Sequence, residues 1–152
     1  MVDSTQTKAA EINDLFAPYT NQEAKYVALI NFGKKLPAME ASDKNDTTMV
    51  RGCQCNFWMI SGPKETGSDL IVIQADSDAA IMKGLIAILW YLFSDQPAVN
   101  LIAFDIPSFF EKLGFLDFLT ITRRTGMFSI IIQLRNSAHN VIEQADQKEI
   151  FP

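Results

Sequence analysis

The stretch CNFWMISGPKETGSDLIVIQADSDAAIMKGLIAILWYLF, residues 55–93, decides the fold. Its first part, residues 55–61, contains the β-favouring side chains of a strand, and LIVIQ at residues 70–74 is a second such run. Gly62 and Pro63 begin the short polar connection between the two runs. Because a connection of this length joins neighbouring strands, the sequence predicts an antiparallel hairpin.

The hairpin is followed by the most apolar segment of the chain, GLIAILWYLF at residues 84–93. Ten residues are too few to cross a membrane, and the segment is apolar nearly all round. It therefore predicts a central helix buried in the core. We expect Asp76 or Ser77 to cap this helix and Asp78 to lie in its first turn.

The segments before the hairpin predict two helices and a loop. Residues 7–16 form the first helix candidate, and TNQE at residues 20–23 has the pattern of a capping box for a second. Pro37 ends that second helix, since the residue before a proline is pushed out of helical geometry. Residues 37–48 have loop composition. A short strand is expected at residues 49–50.

The segments after the central helix predict two more helices. Asp105 is placed to cap a short helix that has Pro107 near its start and ends at Gly114. A last helix is expected from about Ile121 into the 140s. Its segment SIIIQL, residues 129–134, is β-branched, but its neighbours follow helical spacing.

Helices, then a small antiparallel sheet of about three strands, then helices again define an α+β class with two layers. The length of 152 residues fits one domain with its own core. We expect residues 1–152 to form that single domain, with residues 1–19 as an N-terminal helical extension.

The composition excludes several function classes. The chain is 48% hydrophobic and 20% charged, which is typical of a folded protein rather than a disordered one. Its formal net charge of -5 disfavours binding to nucleic acid. The polar N-terminal residues contain no signal or transit pattern, and two cysteines form no disulfide framework. We therefore expect a cytoplasmic protein with no membrane attachment.

Both cysteines lie in VRGCQCNFW, residues 50–58. Cys53, Cys55 and the distant His139 are too few ligands for a structural zinc site or an iron–sulfur cluster. On an extended strand, residues i and i+2 are about 6.6 Å apart. That separation is at the limit for a disulfide, so a bond between the cysteines requires a turn between them.

Two further interpretations of the pair stay open from the residues alone. Free cysteines are most often small buried apolar residues. The alternative is a nucleophilic thiol at a turn, where Gly52 permits close approach of a partner and Arg51 favours the thiolate. On a continuous strand, Cys53 and Cys55 would share a face with Phe57, so an inward orientation would shelter the thiol of Cys53.

Five segments together resemble the SufE/CsdE family of sulfur-acceptor proteins, whose fold is SufE/IscU-like. They cover most of residues 20–139 in the family's order. The pairing of G-C-Q with D-S-D-A-x-I-x-K-G is the specific feature. The matching segments are QEAKYVALINFGKKLP (22–37), VRGCQCNFW (50–58), QADSDAAIMKGLIAIL (74–89), FDIPSFFEKLG (104–114) and FLTITRRTGM (118–127).

The resemblance implies that Cys53 is a persulfide acceptor. It would take sulfur from a pyridoxal-phosphate cysteine desulfurase of the SufS/CsdA type and pass it to an iron–sulfur scaffold complex or another acceptor. The chain would act as a transpersulfuration partner and activator of the desulfurase rather than as a stand-alone enzyme. It would bind no cofactor or metal itself, since the pyridoxal phosphate belongs to the desulfurase.

The resemblance also implies roles for residues outside the cysteine pair. Arg123 and Glu111 match family positions expected to dock the partner or to orient the thiol loop, although each also fits a solvated helix charge. Gly84 is expected to allow close packing of the central helix against the sheet. Cys55 replaces the usual serine, and Ile121 replaces a proline at the start of the last helix.

Cys55 has two interpretations. It either resolves or locks Cys53 as an accessory thiol, or it is a neutral replacement of serine. Two alternatives to sulfur transfer also remain, a non-catalytic regulatory adaptor of a partner enzyme and a thiol redox sensor that uses Cys53 and Cys55.

Overall fold

The computed structural model describes residues 4–50 and 55–150, except for the side chains of residue 118 and residues 148–150. Six helices and three strands make up this part of the chain. In chain order they are α1 (Ser4–Phe16), α2 (Gln22–Gly33), β1 (Phe57–Pro63), β2 (Leu70–Ser77), α3 (Ala80–Phe93), β3 (Gln96–Pro97), α4 (Ala98–Ala103), α5 (Ile106–Leu113) and α6 (Ile121–Ile150). Short 3-10 turns occur at Ala41–Asp43 and Leu116–Phe118.

The predicted hairpin is confirmed. β1 and β2 are antiparallel, with Phe57 opposite Ser77 at one end and Pro63 opposite Ile71 at the other. The three-stranded antiparallel sheet has the order β1-β2-β3, so the α+β class is confirmed. The third strand is the short β3, however, and not residues 49–50. Met49 contributes only an isolated bridge to Trp58.

The hairpin has one buried face and one partly exposed face, because side chains alternate along each strand. The inner face is packed against helices and is buried, with the members Phe57, Met59, Ile71, Ile73 and Ala75. The outer face contains half-buried or exposed side chains, with the members Trp58, Ile60, Val72, Gln74 and Asp76. This arrangement gives the two layers that the order of elements predicts.

Helix α3 is the centre of the core, as its composition predicts. Ten of its fourteen residues are buried. The prediction that Gly84 allows close packing of α3 against the sheet is wrong, however. A Cβ atom at Gly84 would lie 2.4 Å from the carbonyl oxygen of Leu29, which belongs to α2 and not to the sheet. The glycine therefore permits close contact between two helices.

The N-terminal caps expected for two helices differ from the observed ones. The helix α2 begins after Asn21, whose side chain accepts a hydrogen bond from the N–H of Ala24 at 2.8 Å, so the capping box starting at Thr20 is wrong. α3 begins after Ala79, which makes no side-chain cap. Asp76 and Ser77 instead form the end of β2, because the strand continues to residue 77.

The caps predicted for α5 are confirmed. The carboxylate of Asp105 accepts a hydrogen bond from the N–H of Ser108 at 3.1 Å. Gly114 ends the helix in the left-handed conformation, with φ of 79°, which favours glycine. The expected last helix is also confirmed, and its β-branched segment is helical.

The terminal helices contribute to the same core as the sheet. Ala9, Ile12 and Phe16 of α1 are buried in it, and so are Met127 and Leu134 of α6. The boundary expected after residue 19 stays a prediction. Among the described helices, none has both the length and the hydropathy needed to cross a membrane.

Candidate functional site

The predicted acceptor residue Cys53 lies outside the described residues, together with Arg51, Gly52 and Gln54. We call residues 51–54 the acceptor segment, and the structure describes the residues on both sides of it. Before the segment, the N–H of Val50 donates to the carbonyl oxygen of Phe57 at 2.8 Å, and the N–H of Met59 donates to the carbonyl oxygen of Thr48 at 2.8 Å. These two hydrogen bonds hold residues 48–50 against the start of β1.

After the acceptor segment in the chain, a second set of hydrogen bonds is centred on Asn56. The N–H of Asn56 donates to the carboxylate of Asp78 at 3.0 Å. Its carbonyl oxygen accepts from the hydroxyl of Ser77 at 2.9 Å and from the N–H of Asp78 at 3.2 Å. We call these three residues the Asn56 clamp. Both ends of the acceptor segment are therefore attached to the same end of the hairpin.

Sequence reasoning missed the Asn56 clamp. Asp78 precedes α3 and binds the β1 flank, so its expected place in the first helical turn is wrong. An acidic residue between a strand and a helix has the same local pattern whether it caps the helix or binds a neighbouring strand. Only the pairing of β1 with β2 brings Asn56 within reach.

A charged cluster lies on the outer face near the same end of the hairpin. The carboxylate of Asp76, which is opposite Trp58 in the strand register, forms ion pairs with Lys44 and, at 3.4 Å, with Lys83. The Nζ of Lys44 also lies 5.4 Å from the centre of the Trp58 ring. The sequence did not indicate Lys44, since it lies in a segment of ordinary loop composition.

The environment of Asp76 lowers its pKa. Partial burial alone raises the pKa, because it disfavours the charged carboxylate. The hydrogen bond from Lys44, the N–H of Ser77 and the charge of Lys83 outweigh burial, so the net pKa falls below its ordinary value of 3.8. The cluster therefore fastens residue 44 of the long loop to the sheet.

Cys55 is half-buried and packs against the core. It is held in a disulfide rather than as a free thiol. The residue precedes β1, which begins at Phe57, so the strand alternation that places Phe57 and Met59 inward does not extend to it. The predicted shelter of Cys53 stays a prediction.

Arg123 lies in the first turn of α6 and is half-buried. At 100° per residue it shares the inward face of the helix with Met127 and Ile130. Further along, the hydroxyl of Ser137 lies 2.6 Å from that of Ser61 in β1. The later part of α6 borders a cavity with Asp69, at the turn end of the hairpin, so α6 and β1 run in the same direction. Arg123 lies about 21 Å before Ser137 along the helix, whereas Phe57 lies only about 13 Å before Ser61 along the strand.

Glu111 is exposed on α5, one residue after the buried Phe110. The ion pairs found among the described residues do not include Glu111 or Arg123. By helical rise, Arg123 lies beyond the level at which β1 begins. Among the described residues, no ion pair links Glu111 to that end of the hairpin. Their functional roles stay predictions.

No group of three or more His, Cys, Asp or Glu side chains that could hold a metal ion is found within residues 4–50 and 55–150. The described groups at this end of the hairpin are hydrogen-bond donors, carboxylates and lysines, and they hold Val50 and Asn56 to the strands.

The fold has a close counterpart among solved structures. The solution structure of a hypothetical protein from Thermus thermophilus is similar with a TM-score of 0.72. The match covers 94% of this chain and 99% of that chain. Because the two sequences are only 16% identical, the likeness shows a shared fold and nothing about activity.

A family model described as "SufE: Fe-S metabolism associated domain" matches residues 10–138. The match contains α2, the hairpin, α3 and the first half of α6, together with the acceptor segment and its two flanks. It agrees with the resemblance carried by the five sequence segments, and it implies a role in iron–sulfur metabolism. The chain belongs to the SufE family.

Proposed function

We propose that this protein accepts sulfur from a cysteine desulfurase on Cys53 and passes it to iron–sulfur cluster assembly. The observation that carries the proposal is the match of residues 10–138 to the SufE domain, which includes the G-C-Q of the acceptor segment. Support also comes from the two flanks of the acceptor segment, which are hydrogen-bonded to the hairpin. A carrier thiol must reach into a partner while the residues on both sides of it stay in place.

The transfer is a thiol exchange in which the electrons balance without an oxidant or reductant. The thiolate of Cys53 attacks the terminal sulfur of the persulfide on the desulfurase cysteine. The bond between the two sulfur atoms of that persulfide breaks as a new sulfur–sulfur bond forms on Cys53. The desulfurase cysteine leaves as a thiolate, ready for another cycle, which is how the acceptor stimulates the desulfurase.

A second exchange of the same kind delivers the sulfur to the next acceptor. A thiolate of an iron–sulfur scaffold complex, or of another acceptor, attacks the terminal sulfur of the Cys53 persulfide and releases Cys53. The chain therefore acts as a transpersulfuration partner and needs no cofactor of its own, while the pyridoxal phosphate works in the desulfurase. We place the exchange in the cytoplasm, where thiols stay reduced.

Arg123 and Glu111 are proposed as accessory residues. Arg123, on the inward face of α6 and beyond the level at which β1 begins, would favour the thiolate of Cys53 through its positive charge. Glu111, exposed on α5, would contact the partner. Cys55 is proposed as a companion thiol that holds Cys53 in a reversible disulfide when no sulfur is being carried.

The test uses reduced protein, a purified cysteine desulfurase and cysteine. Intact-mass and peptide mass spectrometry should find added sulfur, about 32 Da per atom, on the peptide that contains Cys53. Cys53→Ser should abolish both sulfur uptake and stimulation, and Cys55→Ser is the matched control. Stimulation without sulfur uptake by the wild-type protein would instead identify a regulatory adaptor.

A further inference from the structure

The disulfide of Cys55 bears on what happens to the sulfur after Cys53 has accepted it. Cys55 is bonded in a disulfide and is not a free thiol. The sequence contains two cysteines, so the only partner that one chain offers to Cys55 is Cys53. The sulfur atom of Cys55 can therefore reach the sulfur atom of Cys53 within one folded chain.

The backbone around Cys55 is compatible with such a bond. Cys55 lies at a bend before β1 begins at Phe57, so it is not part of the extended strand. The separation of about 6.6 Å that opposes a bond between residues i and i+2 applies only to an extended strand. The hydrogen bond from the N–H of Asn56 to Asp78 is present together with the disulfide. Formation of the disulfide therefore leaves the Asn56 clamp closed.

Cys55 is also held in place by its surroundings. Its side chain is half-buried and packs against the core. The next residue, Asn56, is fixed to Ser77 and Asp78 by the hydrogen bonds of the Asn56 clamp. A thiol held in this way attacks a neighbouring sulfur atom at an effective concentration far above that of a free thiol in solution.

The carried sulfur has to change its oxidation level before it enters a cluster. The outer sulfur of a persulfide is formally at oxidation level zero, whereas the inorganic sulfur of an iron–sulfur cluster is sulfide. Two electrons must therefore be added to each sulfur atom. A pair of thiols that becomes a disulfide releases two electrons, and Cys53 and Cys55 are such a pair.

We propose that Cys55 attacks the Cys53 persulfide and releases the outer sulfur as hydrosulfide. The thiolate of Cys55 attacks the Sγ atom of Cys53, and the bond from that atom to the outer sulfur breaks. The outer sulfur leaves with the bonding electron pair and its proton, and the disulfide of Cys55 is the product on the protein. A thiol reductant, either a dithiol protein or a low-molecular-weight thiol, then reopens the disulfide. The inference rests on the proposed function and extends it, since it gives the carried sulfur a second exit.

The source of the oxidising equivalents favours this reaction over direct oxidation of the two thiols. A redox sensor would form the same disulfide, but two thiols become a disulfide only when an oxidant accepts their electrons. A persulfide on Cys53 needs no further oxidant, because its own outer sulfur accepts them. In a reducing compartment, release of the sulfur is thus a route that forms the disulfide without an added oxidant.

The test follows the sulfur after Cys53 has been loaded. Reduced wild-type protein and Cys55→Ser are loaded by a purified cysteine desulfurase with labelled cysteine, then separated from the desulfurase, cysteine and reductant. In wild type, hydrosulfide trapped with monobromobimane should rise to about one per chain, while the intact mass falls by about 34 Da as one sulfur and two hydrogens leave. Cys55→Ser should keep its persulfide at least ten times longer and release no hydrosulfide in that time.

The outcomes separate the inference from the proposed function. Persulfides that last equally long in wild type and Cys55→Ser would overturn the inference and leave the function standing. Hydrosulfide release that leaves both thiols reduced, or disulfide formation at the same rate in unloaded protein, would also overturn the inference. No label on Cys53 in either protein would overturn both together. Thermal unfolding checks the fold of Cys55→Ser, and the mass change of the wild-type protein tests the inference without any variant.

Discussion

The carboxylate of Asp78 accepts a hydrogen bond from the N–H of Asn56 at 3.0 Å, across the end of the β1–β2 hairpin. Asp78 follows β2, and Asn56 precedes β1, three residues after Cys53. Asp78, whose local sequence is typical of a helix cap, thus holds the C-terminal flank of the acceptor segment to the hairpin. Because the contact uses the side chain of one residue and the backbone of the other, the identity of residue 78 controls it.

Replacing Asp78 should loosen this attachment. In Asp78→Ala the N–H of Asn56 loses its acceptor, and we expect the unfolding free energy to fall by about 1 kcal/mol. Hydrogen exchange of the Asn56 amide should speed up about tenfold, and sulfur acceptance should slow. Asp78→Asn keeps an acceptor oxygen and is the control. Equal exchange of the Asn56 amide in wild type and Asp78→Ala would show that the bond does not hold the segment.

Replacing Gly84 tests the close contact of α3 with α2. An alanine Cβ would lie 2.4 Å from the carbonyl oxygen of Leu29, so the two helices must separate. Overpacking of this kind costs about 3 kcal/mol, and the gain in helix propensity offsets about 1 kcal/mol. We expect Gly84→Ala to lower the unfolding free energy by about 2 kcal/mol in urea denaturation.

The control for Gly84 is Gly62→Ala in β1. A Cβ at Gly62 would meet no atom within 4 Å, so its effect should stay within about 0.5 kcal/mol. A Gly84→Ala protein as stable as Gly62→Ala would contradict the helix–helix contact described above.

Replacing Asp76 tests the charged cluster on the outer face through its pH dependence. Because the folded pKa of Asp76 is below its unfolded value, the ionised carboxylate stabilises the fold above that unfolded value. This stabilisation is lost as the pH falls through the folded pKa. Asp76→Asn should therefore be less stable than wild type at pH 7, by about 1 kcal/mol since both lysines are partly exposed.

The difference between Asp76→Asn and wild type should shrink toward pH 3, as measured by urea denaturation across the pH range. Asp46→Asn, at an exposed carboxylate, is the control and should match wild type throughout. A stability difference that stays constant from pH 7 to below pH 3 would mean that the charge of Asp76 is not what stabilises this loop.

Replacing Cys55 distinguishes its two interpretations. In reduced protein, where the disulfide of Cys55 is open, Cys55→Ser should change the unfolding free energy by no more than about 1 kcal/mol, because the side chain is only half-buried. In reduced protein we expect normal sulfur uptake, since Cys53 is the proposed acceptor. Mass spectrometry after incubation with desulfurase and cysteine measures it. Loss of sulfur uptake in Cys55→Ser would mean that the second thiol takes part in the transfer itself.

Much of the fold could be predicted from local patterns, because hairpins and helix ends depend on only a few neighbouring residues. The hairpin follows from two β-rich runs and a short turn, and the ends of α5 follow from Asp105 and Gly114. The third strand could not be predicted, since Gln96 and Pro97 have no strand pattern and pair only because the chain returns past Ile71 after α3.

The site was harder to predict than the fold. The cysteine pair alone left a buried apolar role and a nucleophilic role open, and the family resemblance singled out Cys53. Asp76 and Asp78 have the local pattern of a helix start, because a carboxylate binds backbone N–H groups equally well at a cap or across a hairpin. Tertiary pairing decides between the two, and it is not encoded in the local pattern.

The most direct test of the central claim is the site of sulfur after one turnover. Reduced protein is incubated with a cysteine desulfurase and sulfur-labelled cysteine, then alkylated and mapped by peptide mass spectrometry. Our account predicts one labelled persulfide sulfur on Cys53, present in Cys55→Ser and absent in Cys53→Ser. Label that enters Cys53→Ser at the wild-type rate, or stimulation of the desulfurase with no label on Cys53, would contradict it.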